Sequence, residues 1–193
     1  MNTTNRKTEH EISEIFLKRW SPRAMSGKPI KKDDLMILFE AAKWAPSSYN
    51  NQPWRFIYAL KDTKHWDLLF NLLGDFNKQW CKNASALVVV ISKNKFDHNN
   101  QPSITHSFDS GAAWENLALQ ASMTGFVVHG MQGFDYEKAR EDLEILEDYN
   151  VEMMFAVGIP GKKEDLQKEL QEKENPSDRK QLKEIVFEGK FKE

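Results

Sequence analysis

The apolar positions of the chain follow two kinds of spacing, which predict helices and strands in different places. Apolar residues three or four apart predict helices at residues 8–18, 33–44, 63–73, 76–80, 109–124 and 135–143. Alternating or continuous apolar runs predict strands at residues 54–60, 86–91, 126–128 and 151–157, and a strand-like tail around Ile185, Phe187 and Phe191. Between the last strand and the tail, the charged residues 162–174 predict a short solvated helix or a surface arm.

Two of these elements carry little polar surface. Residues 86–91 are apolar throughout, which is typical of a strand covered on both faces. Residues 109–124 are rich in alanine and poor in charge, and this composition predicts a central, buried helix.

A polar segment, residues 45–56, separates the second helix from the first strand. Pro46 disfavours a helical conformation before it, and Pro53 closes the segment. Between the prolines lie short donors and acceptors: Ser47, Ser48, Asn50, Asn51 and Gln52. Such a loop can surround a planar polar ring, or it can simply be a turn that bonds to itself.

A second polar segment follows the first helix. Arg19, Ser21 and Arg23 surround a rigid Ser-Pro turn, and paired guanidinium N–H groups can hold a phosphate with help from a hydroxyl. Cations at the end of a helix also complement its dipole, so a purely structural role stays open. Arg179 and Lys180 offer further cations near the C-terminal end.

Two glycines, Gly130 and Gly133, flank Met131 and Gln132 after the short strand at residues 126–128. Glycines in this arrangement predict a backbone that approaches another group closely. The backbone N–H groups of Met131 and Gln132 could then face a ligand.

Composition narrows the classes of protein. The 193 residues include 40% hydrophobic and 29% charged residues, which suits one domain spanning residues 1–193. A net charge of -2 gives no electrostatic footprint for nucleic acid. No apolar run is long enough for a bilayer, and residues 1–14 lack a hydrophobic signal core. The single Cys81 suggests a reducing compartment, so we expect a cytoplasmic protein and a small buried cysteine.

Several common sites are absent from the sequence. No glycine-rich dinucleotide fingerprint, phosphate-binding P-loop or nucleophile elbow occurs. The five histidines show no metal-ligand spacing, so no metal site is expected. His106 and His129 lie next to the segments singled out above, where an imidazole could handle protons.

The remaining constellation has cations and a hydroxyl for a phosphate, a polar loop for a ring edge, and glycine-bounded backbone. A phosphate at one end and a planar polar ring at the other describe a mononucleotide-like cofactor.

Four segments resemble the nitroreductase-like FMN-dependent oxidoreductases. They are residues 19–23 (RWSPR), 45–54 (APSSYNNQPW), 109–117 (DSGAAWENL) and 178–186 (DRKQLKEIV). The resemblance implies an α+β fold with a central, mainly antiparallel sheet wrapped by helices. It also implies a homodimer with two FMN sites at its interface and a C-terminal tail that lies across the partner's sheet.

The resemblance also distributes the site residues between the two subunits. One subunit would supply the phosphate and ribityl contacts: Arg19, Trp20, Ser21, Arg23, Arg179 and Lys180. Its partner would border the flavin ring with Pro46, Ser47, Ser48, Asn50 and Gln52. Asn77 would contact the pyrimidine edge of the ring, and the segment Met131, Gln132 and Gly133 would face its reactive nitrogen.

The chain departs from the family at Trp80, where well-known members place a lysine near the pyrimidine. Trp80 and His106 are the residues we assign to a substrate pocket. Either Arg179 or Lys180 could be the main phosphate contact near the C-terminus.

The activity implied by the resemblance moves hydride from NADPH or NADH to the flavin and then to an electron-poor small molecule. Nitroaromatics, quinones and activated alkenes are candidate acceptors. Because the flavin carries the electron chemistry, no side chain need act as a catalytic acid or base. Three alternatives stay open: dehalogenation or flavin and heterocycle oxidation on the same scaffold, flavin sequestration without turnover, and a binding module without a cofactor.

Overall fold

The computed structural model describes residues 6–191, in which helices surround one antiparallel sheet. The helices are α1 (Glu14–Lys18), α2 (Lys32–Ala42), α3 (Trp66–Phe70), α4 (Asp75–Cys81), α5 (His106–Met123), α6 (Tyr136–Asp142) and α7 (Lys168–Glu172). The strands are β1 (Trp54–Leu60), β2 (Ala86–Lys93), β3 (Val127–Met131) and β4 (Tyr149–Gly158). Short 3₁₀ turns occupy Ser48–Asn50, Lys163–Asp165 and Leu182–Glu184.

The sheet has the strand order β1-β2-β4-β3, and every neighbouring pair is antiparallel. The predicted α+β class with an antiparallel sheet is therefore confirmed. The apolar strand β2 lies in the interior of the sheet, and its residues from Ala86 to Ser92 are buried, as the pattern predicted.

Two apolar clusters cover the two faces of this sheet. Successive residues of a strand point to opposite faces. Val88 therefore packs with Leu38 of α2 and Leu117 of α5, whereas Val89 packs with Leu69 of α3 and Trp80 of α4. The helices on both faces hold the sheet ends at fixed positions, and the loops at those ends carry the polar segments described above.

Some predicted helices are shorter in the structure. The first begins at Glu14 rather than at residue 8, because the residues before it are exposed and bury no apolar face; Ile12 is about half exposed. The third covers only Trp66–Phe70, since the Thr63 hydroxyl donates to the Leu60 carbonyl and closes a turn instead. Asp135 caps α6 as predicted, accepting from the Lys138 N–H.

The helix α5 and the C-terminal tail differ from their patterns. In the single chain α5 buries only the face that carries Ala113, Leu117 and Ala121, while Phe108 is 82% exposed. The described part of the tail forms no strand and pairs with neither edge strand of its own sheet, β1 or β3; Val186 and other apolar tail residues are exposed. Residues 1–5 and 192–193 of the predicted single domain lie outside the described residues.

Across residues 6–191, no helix combines the length and the apolar character that crossing a bilayer requires.

Candidate functional site

A basic cleft of about 220 Å³ lies where the end of α1 meets the segment after α7. It brings together the predicted residues Arg19, Trp20, Ser21, Arg23 and Arg179, although Arg179 is far from the others in sequence. The other lining residues are Arg6, His129, Lys173, Asn175 and Ser177. Four guanidinium groups and one ammonium group around so small a space make a site for a multiply charged anion.

Arg6 and Glu115 hold the first part of the cleft. A guanidinium nitrogen of Arg6 donates to the carbonyls of Leu17 and Arg19, at 3.0 and 2.9 Å, and so fixes the chain where α1 ends. Arg19 Nε lies 3.2 Å from Glu115 Oε1 of α5, and another of its nitrogens lies 3.4 Å from Ser21 Oγ. These contacts orient the Arg19 side chain toward the cleft.

Glu174 joins the C-terminal side of the cleft to Arg23. Its Oε1 accepts from the backbone N–H groups of Arg23 and Ala24, at 2.7 and 2.8 Å, and its side chain is almost fully buried. Among the described residues, Glu174 Oε2 and Arg23 Nε are buried without a hydrogen-bond partner. A buried guanidinium N–H without a protein partner is a donor that a bound anion can satisfy, so the cleft fits a phosphate group.

Two cleft residues, Arg6 and His129, have lowered pKa values because they are buried beside other cations. Burial, followed by the charges of Arg179 and Arg19, lowers the pKa of Arg6. Burial, followed by the charge of Arg23, lowers the pKa of His129 to about 4, although its ring also contacts the Pro22 carbonyl. His129 is therefore neutral at neutral pH, and the positive charge of the cleft comes from its arginines and Lys173.

The polar loop at residues 45–53 begins beside α5. The Ser48 N–H donates to Asp109 Oδ2 at 3.0 Å, and the Gln52 N–H donates to Ser47 Oγ at 3.0 Å. Tyr49, Asn50 and Gln52 have positive φ values of 53°, 52° and 48°. The loop does bond to itself, as the simpler interpretation expected. Non-glycine residues in the left-handed region are also strained, and such strain concentrates at ligand sites.

The same loop is fastened to residues 94–105. Asn51 Oδ1 accepts from the Asp97 N–H at 2.9 Å, and the exposed Tyr49 ring packs against Phe96 with 5.5 Å between ring centroids. Pro46, Asn50 and Gln52 are exposed, and none of the loop residues lines the basic cleft of the same chain. The predicted phosphate and ring segments are thus separate surfaces in one chain.

The turn after β3 is held by Asn77. Asn77 Nδ2 donates to the Gly133 carbonyl at 2.9 Å, and the Gly74 N–H donates to the same carbonyl at 3.0 Å. A Cβ at position 133 would lie 2.8 Å from Asn77 Nδ2. The close approach predicted at Gly133 is therefore confirmed; Gln132 beside it is exposed and Met131 is buried.

Neither of the two residues assigned to a substrate pocket, Trp80 and His106, lines the basic cleft. Trp80 is 1% exposed, so its indole lies in the core behind the Gly133 turn rather than in an open pocket. His106 begins α5, with Nδ1 at 2.6 Å from Ser92 Oγ and 3.3 Å from Glu152 Oε1. Glu152 reaches them because it is the extra residue of a bulge between β2 and β4.

Between the two candidate C-terminal cations, Arg179 lines the cleft, whereas Lys180 is exposed and is not among the lining residues. Arg179 also donates to Ser177 Oγ at 3.0 Å, which keeps its side chain close to the cleft wall.

Sequence reasoning missed Arg6, Lys173, Asn175, Ser177 and the buried Glu174. Arg6 lies in a polar stretch without periodicity. Lys173 and Glu174 end the charged stretch that predicts only a solvated helix or a surface arm, and Asn175 and Ser177 lie just beyond it. These residues join the cleft through contacts with residues far away in the sequence, and no local sequence pattern predicts such contacts.

A larger groove of about 1000 Å³ adjoins the cleft. Its apolar wall combines α1, α5, β3 and nearby loops through Leu17, Trp20, Ala118, Phe126, Val127, Val128, Pro160 and Pro176. The groove shares Arg19 and Trp20 with the basic cleft, so the two are continuous.

The fold is that of a known family. The family model described as "Nitroreductase family" matches residues 16–159, which include both polar segments around α1 and α2, the sheet and the Gly133 turn. The chain therefore belongs to the nitroreductase family, and the family predicted from the sequence is confirmed.

Individual relatives agree with this assignment. An Archaeoglobus fulgidus protein provisionally named NADH dehydrogenase/NAD(P)H nitroreductase is 30% identical over 160 residues, covering 80% of this chain and 88% of its own. A crystal structure described as an oxidoreductase containing FMN is 44% identical, with a TM-score of 0.94 over 100% of this chain and 98% of its own. A provisionally named nitroreductase of Desulfovibrio desulfuricans, solved in complex with FMN, is 22% identical. It has a TM-score of 0.72 over 96% of this chain and 100% of its own, and it shares the fold.

Proposed function

We propose that this protein is an FMN-dependent oxidoreductase that passes hydride from NADPH or NADH, through the flavin, to an electron-poor small molecule. The observation that carries the proposal is the convergence of Arg19, Arg23 and Arg179 on one small cleft in a member of the nitroreductase family. The FMN contained in the 44% identical structure supports the choice of cofactor.

The basic cleft would hold the phosphate of FMN. Charge-assisted hydrogen bonds contribute roughly 1.5–3 kcal/mol each, so three guanidinium groups suffice to retain the cofactor through many turnovers. The buried, unpartnered Arg23 Nε is a donor that such a phosphate would satisfy.

The flavin ring would extend from the cleft toward Asn77 and the Gly133 turn. When bound, FMN supplies a hydride acceptor for nicotinamide and a hydride donor for the final acceptor. The backbone N–H groups around Gln132 and Gly133 would favour negative charge on the ring, since fixed donors stabilise charge where it develops. In this arrangement the side chains bind and orient, and none is required to move a proton.

The second wall of the ring site would come from another copy of the chain. The polar loop with Ser47, Ser48 and Asn50 does not line the cleft of its own chain, so a homodimer would bring it to the partner's flavin. Exposed apolar residues of the tail, Leu182, Ile185, Val186 and Phe187, match the apolar groove beside the cleft. We place this tail across the partner.

We also place the enzyme in the cytoplasm, because its one cysteine is free and buried, as suits a reducing compartment.

The experiment that tests the proposal is a visible spectrum of the purified protein before and after NADPH is added without oxygen. We expect a flavin absorption band that bleaches with NADPH and returns when a nitroaromatic or a quinone is added. A colourless protein that takes up no FMN would refute the proposal. Bound flavin that neither NADPH nor NADH reduces would instead indicate sequestration, and reduction without turnover of those acceptors would indicate a different chemistry on the same scaffold.

A further inference from the structure

The side chain of Asn77 is held by two hydrogen bonds that leave no doubt about its orientation. Trp80 Nε1 lies 3.2 Å from Asn77 Oδ1, and Asn77 Nδ2 lies 2.9 Å from the Gly133 carbonyl oxygen. An indole nitrogen can only donate and a carbonyl oxygen can only accept, so the amide oxygen must face Trp80 and the amide nitrogen must face Gly133.

These bonds also determine what Asn77 can offer to a ligand. The amide has two N–H donors and two oxygen lone pairs, of which one donor and one lone pair are used. The side chain is 9% exposed, so it cannot turn to water for new partners. Its orientation is therefore a fixed property of the folded chain.

Trp80 is itself immobilised. It is 1% exposed in the core cluster that covers one face of the sheet, and its ring packs against His129 with 4.7 Å between ring centroids. His129 lines the basic cleft. A continuous line of contacts thus runs from the cleft through His129, Trp80 and Asn77 to the Gly133 turn.

We propose that Trp80 is a positioning residue, which acts through Asn77 to hold the Gly133 turn against the ring of bound FMN. This inference rests on the proposed function. Without the indole N–H, Asn77 Oδ1 would be a buried acceptor without a partner, a state that proteins avoid. The amide would swing toward another donor and release the Gly133 carbonyl, leaving the turn held by the Gly74 N–H alone.

The test is a double-mutant cycle of Trp80→Phe and Asn77→Ala in the flavin-loaded protein. The measurements are the midpoint potential of the flavin, the FMN Kd of the apoprotein and the melting temperature. We expect Trp80→Phe to weaken FMN binding about tenfold and to make the potential more negative, because loosened donors stabilise the reduced ring less. Since Trp80 acts through Asn77, the double variant should have the same potential as Asn77→Ala alone.

Trp66→Phe is the matched control. Trp66 begins α3, packs against the same core and stacks on Phe70, yet within residues 6–191 it forms no hydrogen bond with Asn77 or the Gly133 turn. We expect it to lower the melting temperature and to leave the potential unchanged. A Trp80→Phe potential equal to wild type, or shifts that add in the double variant, would overturn the inference.

A measurement that needs no Trp80 variant covers the case in which Trp80→Phe does not fold. In the wild-type protein, the indole N–H resonance of Trp80 should exchange slowly with water and should shift when the bound flavin is reduced. Asn77→Ala should abolish both features, and an indole resonance indifferent to Asn77→Ala and to flavin reduction would also overturn the inference. Wild-type protein that binds no FMN would be a failure of the proposed function, and so the two failures are distinguishable.

Discussion

At the scale of single residues, removal of a guanidinium group from the basic cleft is the most direct test of phosphate binding. We expect Arg19→Ala or Arg179→Ala to raise the FMN Kd by roughly tenfold to a hundredfold, since each removes a charge-assisted hydrogen bond worth about 1.5–3 kcal/mol. Titration of the apoprotein with FMN, followed by flavin fluorescence, measures this effect.

Lys183→Ala is the control for those variants, because Lys183 is an exposed cation on the nearby 3₁₀ turn and does not line the cleft. Lys180→Ala separates the two candidate C-terminal contacts, and its effect should be smaller than that of Arg179→Ala. Unchanged FMN affinity in both arginine variants would contradict the phosphate assignment.

The lowered pKa of His129 predicts how the free energy of unfolding depends on pH. Its pKa falls from an ordinary 6.5 to about 4 on folding, so the unfolded chain binds more protons between those values. This group therefore stabilises the fold fully above pH 6.5, and its contribution is lost as the pH falls toward 4. This difference between the unfolded and folded pKa values corresponds to about 3 kcal/mol in the free energy of unfolding. Urea unfolding of wild type and His129→Gln at pH 7 and pH 4.5 measures it. We expect the variant to lose less stability between the two pH values, and equal losses would contradict the assignment.

At the scale of elements, we expect the Glu174 side chain to hold the segment after α7 against the wall of the cleft. Glu174→Ala removes the acceptor for the N–H groups of Arg23 and Ala24, and each buried donor left unpaired costs about 1–3 kcal/mol. We expect faster hydrogen exchange in residues 173–179 together with weaker FMN binding, both measurable by mass spectrometry and titration.

Glu174→Gln is the matched variant, because its amide oxygen can still accept from both N–H groups. It should keep slow exchange and FMN affinity close to those of wild type. If Glu174→Gln and Glu174→Ala weaken binding equally, the carboxylate charge rather than the backbone anchoring would explain the effect.

At the scale of the whole molecule, the exposed tail predicts an assembly. Ile185 and Val186 are 55% and 63% exposed, so the single chain gains little from burying them. We expect Ile185→Asp/Val186→Asp to weaken the proposed homodimer and to release FMN, although Arg179 is retained. Light scattering after gel filtration and the flavin content of the eluted protein measure both outcomes.

The control for the tail is Lys183→Asp, which adds negative charge to the same segment without removing apolar surface. It should remain dimeric. A wild-type protein that is monomeric yet holds FMN fully would contradict the assignment of the polar loop and the tail to a partner subunit.

How much the sequence could predict varied with the range of the interactions involved. Trp54, Phe56 and Tyr58 alternate along residues 54–60 and residues 86–91 are apolar throughout, and both segments form strands within two residues of the predicted bounds. The spacing of Ile12, Ile15 and Phe16 predicts a helix that begins at residue 8, but residues 8–13 form no helix, and Ile12 stays about half exposed. Periodicity is a local signal, and whether a face becomes buried depends on packing partners elsewhere in the chain.

The same limit applies to the site. The sequence by itself determined the polar residues of the two segments around Arg19 and Ser47 and the resemblance to the family, because these reside in residue types and short spacings. The antiparallel α+β class followed from that resemblance. Only the tertiary structure decided that Arg179 rather than Lys180 faces the cleft, that Arg6 and Glu174 complete it, and that Trp80 lies behind the Gly133 turn. Those facts depend on contacts between residues far apart in the chain, which arise when two faces of one sheet are covered and the loops at its ends are brought together.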